Sequence, residues 1–81
     1  MKNLVLKVWE SYTREVMPRN ASTVQRWETR RAFYAGCQML LAAIIGNLTP
    51  GPEPETADEL LLDDIDEELQ QFARDVKEGR A

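Results

Sequence analysis

The chain has 81 residues, ten Lys/Arg against fourteen Asp/Glu and no histidine, for a net charge of −4. This length allows one domain with a modest core, burying only about 60–65 per cent of its unfolded surface. The acidic balance excludes a protein that grips a DNA or RNA duplex through a broad basic face. The single cysteine, Cys37, excludes an intramolecular disulfide and a cysteine-based metal site.

Residues 3–17 place Leu4, Val5, Val8, Trp9, Tyr12 and Val16 at helical spacing, with Lys7, Glu10, Ser11 and Arg14 opposite, which predicts an amphipathic helix. Pro18 stops it, because the residue before a proline is biased away from helical angles. These first residues lack the uninterrupted apolar core and cleavage pattern of a signal peptide, so a cytoplasmic location is expected. The connection Arg19-Asn20-Ala21 is short, which favours an antiparallel neighbour.

Residues 22–48 form the longest proline-free apolar stretch and predict a long central helix. Ser22 with Gln25 three residues on is the pattern of a capping box, and Gly46, Asn47 and Pro50 supply the stop. Trp27, Arg30, Tyr34, Cys37, Leu41, Ile44 and Leu48 alternate by three and four along one stripe, and Phe33, Gly36, Leu40 and Ala43 follow beside it. A helix apolar on so many sides must be covered on several of them. Residues 32–48 reach only the lower limit of about 17 residues for crossing a bilayer, and Gly36, Gln38 and Asn47 thin the run, so a buried helix is preferred to a membrane span.

Pro50, Pro52 and Pro54 make residues 49–56 a stiff linker. Thr56 with Glu59 repeats the capping pattern, and Leu62, Ile65, Leu69, Phe72 and Val76 form a third stripe ending near Gly79. This predicts a third helix over residues 57–78, acidic early and with Arg74, Lys77 and Arg80 late, the order that complements a helix dipole. The expected fold is all-α: an antiparallel three-helix bundle with the long helix at its centre, assembling as a homo-oligomer through Phe33, Gly36, Leu40 and Ala43, where small residues permit close approach.

Charge is divided unevenly. Residues 1–31 hold seven Lys/Arg against three Glu, and residues 32–81 hold three against eleven Asp/Glu. The acidic run Asp58, Glu59, Asp63, Asp64, Asp66, Glu67 and Glu68 has no glycine of the kind a calcium loop needs, and the central helix offers only Glu28 as a facing carboxylate, so a solvated helix face is expected and no metal. There is no glycine-rich phosphate loop, nucleophile elbow or histidine base, so neither catalysis nor a cofactor is expected.

The group that invites a ligand is Arg26, Trp27, Arg30, Arg31 and Tyr34: guanidinium forks hold phosphate in pairs, and aromatic faces stack on a base. In an antiparallel hairpin Glu10 and Glu15 come near these arginines, so internal salt bridges are the competing expectation. The acidic run is expected at the other end of the bundle.

ETRRAFYAG (residues 28–36), the tryptophan- and tyrosine-bearing first helix ending in VMP, and the acidic helix leading to QFARDVKEGRA together resemble small, mostly uncharacterised proteins of tailed phages and prophages. The resemblance implies expression in the cytoplasm of an infected bacterial host and carries no activity with it. Small phage accessory proteins often counter host defence, some by sequestering cyclic nucleotides. The resulting expectation is a phage protein that binds a small anionic nucleotide without turning it over. One alternative is an inhibitor or adaptor of a host protein acting through the acidic third helix. Another is a holin-like membrane protein.

Overall fold

The computed structural model describes residues 2–48 and 56–81. Three α-helices account for nearly all of them: α1 (Leu4–Glu15), α2 (Thr23–Asn47) and α3 (Thr56–Lys77). Among the described residues there is no strand. The expected linker over residues 49–56 falls, but for Thr56, outside the described residues.

The chain divides into two units, residues 1–43 and 44–81. In the first, α1 packs on the earlier part of α2 through aromatic rings. Phe33 lies 5.3 Å from Trp9 and 5.6 Å from Tyr12 between ring centroids, and Trp9 stacks on Tyr12 at 5.6 Å. Such offset and tilted pairs add to simple area burial. Trp9 and Met17 are the buried apolar side chains of this unit.

α1 starts from Asn3, held at φ 60° in the left-handed region that asparagine tolerates better than most residues. It ends two residues earlier than the apolar pattern suggests. Pro18 disfavours helical angles at Met17, and the amides of Val16 and Met17 both donate to the Tyr12 carbonyl (2.9 and 3.1 Å), closing the helix. The Ser22 cap forms as expected: the Gln25 amide donates to Ser22 Oγ at 3.0 Å and the Arg26 amide to the Ser22 carbonyl at 3.0 Å.

In the second unit, α3 follows the end of α2. Asp58 is buried, Leu61 and Ile65 are half-buried, and Leu62, Leu69, Phe72 and Val76 are exposed along the same stripe. The C-terminus of α3 closes on Gly79 at φ +76°, with the Arg80 amide donating to the Asp75 carbonyl (2.7 Å) and the Gly79 amide to that of Val76 (3.2 Å). This is a Schellman motif, and it satisfies carbonyls that a helix end otherwise leaves unpaired.

The expectation that α2 is covered on several sides meets a different picture within one chain, because no α2 residue is buried. Length supplies part of the reason. With 12 residues α1 is about 18 Å long, against about 37 Å for the 25 residues of α2. It covers one side over part of the length, where Arg26, Thr29, Phe33, Tyr34 and Cys37 are half-buried, and Ile44 is half-buried in the second unit. These half-buried residues take in some members of each sequence stripe and leave others, so that Leu41 and Leu48 remain exposed. No helix among the described residues is long and apolar enough to cross a membrane.

Candidate functional site

The Ser22 cap and the turn before it decide where the five predicted ligand residues go. The turn is tied by the Ala21 amide donating to the Pro18 carbonyl at 3.1 Å. Arg26, one turn into α2, folds back over it. Its Nε donates to the Ala21 carbonyl at 3.3 Å, and one Nη donates to the carbonyls of Arg19 (3.2 Å) and Pro18 (3.5 Å). The guanidinium is thereby engaged on the backbone, and the shape of the turn depends on it.

The other four residues stay together. Trp27, Arg30, Arg31 and Tyr34 recur at helical spacing on one face of α2 and line a shallow concavity of about 430 Å³. The Arg30 guanidinium sits 5.5 Å from the centre of the Tyr34 ring, a cation–π arrangement that holds the cation at the surface. Tyr34 is itself supported edge-on by Phe33 at 6.0 Å, so the site is braced by the aromatic cluster that joins α1 to α2. Trp27 is 63% exposed, with its indole open to solvent.

Glu10 and Glu15 do not neutralise the arginines: among the described residues neither pairs with Arg26, Arg30 or Arg31, and the ion pairs are those of Arg80 with Asp75 (2.9 Å) and with Glu78. Arg31 has no hydrogen-bond or ion-pair partner among the described residues. The site thus offers one unpaired guanidinium, one resting on a phenol ring and one exposed indole face. Two adjacent guanidiniums suit a phosphate, and the indole suits a flat π-system.

Of the residues expected to join copies of the chain, Phe33 is half-buried against Trp9 and Tyr12, while Gly36, Leu40 and Ala43 lie on exposed parts of α2. A Cβ placed on Gly36 meets nothing within 4 Å, so among the described residues close approach is not used there.

Two features escaped sequence reasoning. Asp58, read as part of a solvated acidic run, is buried. Its position was legible, since it lies four residues before Leu62 and seven before Ile65, on the apolar stripe itself. The second is a concavity of about 550 Å³ on α3, where Phe72 lies among Asp64, Glu67, Glu68, Gln71, Arg74 and Asp75. Among the described residues no three His, Cys, Asp or Glu side chains stand close enough to hold a metal ion. No family model, curated protein or solved structure matches this chain.

Proposed function

We propose that this protein binds a small phosphorylated nucleotide on the α2 surface formed by Trp27, Arg30, Arg31 and Tyr34, and holds it without chemical conversion. The observation that carries the reading is the unpaired Arg31 beside Arg30 and the exposed Trp27, in a chain that is acidic overall. Charge-assisted hydrogen bonds from arginine are roughly twice as strong as neutral ones, and stacking on an aromatic adds about 1–3 kcal/mol per base. Sequestration is preferred to hydrolysis because the lining side chains supply guanidinium, indole and phenol but no carboxylate, thiol or imidazole to act as a general base.

Taken with the phage-like sequence, the ligand class is a cyclic nucleotide defence signal, and the setting is the cytoplasm of an infected bacterium. The three helices are proposed to close as an antiparallel bundle, which the short connection between α1 and α2 favours.

Isothermal titration calorimetry of the full chain against cyclic di- and trinucleotides tests the reading. Binding that weakens about tenfold or more in each of Arg30→Ala and Arg31→Ala is expected. Absence of heat with every nucleotide, or affinity indifferent to both substitutions, overturns it. The second reading, a host-protein adaptor acting through α3, draws on Phe72 exposed within the acidic concavity. It predicts capture of a host protein that Phe72→Ala abolishes and Arg31→Ala leaves intact.

A further inference from the structure

We infer that the α2 ligand surface takes a single nucleotide unit: one base stacks on Trp27, its phosphate lies between Arg30 and Arg31, and a second base finds no ring to cover it. This rests on the nucleotide reading above and narrows it to a mononucleotide with a cyclic or open phosphate.

The chain has two tryptophans, two tyrosines and two phenylalanines, and their surroundings decide how many bases can stack. Trp9 is buried, and Tyr12 stacks on it at 5.6 Å. Phe33 is half-buried against both. Phe72 is exposed, but it stands among Asp64, Glu67, Glu68 and Asp75, which repel a phosphate. Tyr34 lines the ligand surface, yet it is half-buried, with the Arg30 guanidinium over its ring at 5.5 Å and Phe33 at its edge at 6.0 Å. Its ring is committed to holding Arg30. Trp27, 63% exposed, is left as the ring that a base can cover.

Spacing along α2 then sets the size of the ligand. Arg30 and Arg31 flank the direction of Trp27 on the helix and lie about 4.5 and 6 Å from it along the axis, a separation of the order that one sugar imposes between a base and its phosphate. Both guanidiniums are exposed, and Arg31 has its donors free for a charge-assisted pair. Tyr34 lies about 10 Å along the axis from Trp27, beyond both arginines. The concavity of about 430 Å³ is small; ligand sites run from about 300 to 1,000 Å³.

Calorimetry of the full chain with adenosine 5′-monophosphate, ribose 5-phosphate and cyclic di-AMP tests this. The base is expected to make the monophosphate bind about tenfold or more tighter than ribose 5-phosphate. Trp27→Leu is expected to erase that advantage without changing the affinity for ribose 5-phosphate, and Trp27→Phe to keep most of it. Cyclic di-AMP is expected to bind within about tenfold of the monophosphate, since its second base gains no platform. An advantage that survives Trp27→Leu, or cyclic di-AMP bound more tightly than that, overturns the inference and leaves the nucleotide reading standing. Heat from none of the three overturns both. Should Trp27→Leu lose its helical circular dichroism, wild-type tryptophan fluorescence decides. Quenching by the monophosphate and not by ribose 5-phosphate supports the stack on Trp27, and fluorescence indifferent to the monophosphate overturns it.

Discussion

Arg26 and Arg31 have the same chemistry and lie five residues apart, yet their surroundings assign them different work. Arg26 spends its donors on the carbonyls of Pro18, Arg19 and Ala21, and Arg31 spends none on any described residue. Replacing Arg26 by alanine therefore removes bonds that hold the turn and is expected to cost about 1–2 kcal/mol, since hydrogen bonds from a charged donor rank above neutral ones but these are partly solvated. Arg31→Ala is expected to leave the unfolding free energy within about 0.5 kcal/mol of wild type, as surface substitutions without partners usually do. Urea denaturation of both variants beside nucleotide calorimetry checks the division: stability falls in the first and affinity in the second. A reversed pattern would mean that Arg26 leaves the turn to meet the ligand.

At the scale of elements, the helix ends show how local chemistry sets boundaries. Ser22 accepts the Gln25 amide at the start of α2, and Gly79 ends α3 with a backbone that other residues adopt only under strain. A Cβ on Gly79 meets no atom within 4 Å, so Gly79→Ala carries a backbone penalty with no packing component. That penalty is about 1 kcal/mol. For a chain of this size it lowers Tm by about 4–8 °C. Thermal melting followed at a helical circular dichroism band measures it. An unchanged Tm would show that the last turn of α3 frays before the rest melts and contributes nothing to the global transition.

Within each of its two units the chain buries few of its described apolar side chains. Trp9 and Met17 are its buried apolar side chains among the described residues, while Leu41, Ile45, Leu69 and Phe72 stand more than half exposed. The association of copies proposed from the sequence of α2 would make stability depend on concentration. Raising the protein concentration by roughly a hundredfold is expected to add about 2.7 kcal/mol to the apparent stability of a dimer, seen as a rise in Tm. A Tm independent of concentration would place the missing cover within a single chain.

Periodicity by itself determined the three helices and their approximate limits, because the spacing of apolar residues, Ser22 as a cap, and Pro18 and Gly79 as stops act within a turn or two of the backbone. It also singled out Trp27, Arg30, Arg31 and Tyr34, whose shared face follows from helical geometry alone. The burial of Asp58 was legible too, from its place on the α3 stripe. Only the tertiary structure decided that Arg26 turns back onto the Pro18–Ala21 carbonyls and that Phe33 belongs to the Trp9–Tyr12 cluster. The physical reason is that α2 is apolar nearly all round from Ala32 to Ile45, so its pattern there states how much surface needs cover without stating which side receives it. That choice depends on the path of the turn and the reach of a 12-residue α1, and neither is written in the spacing of α2.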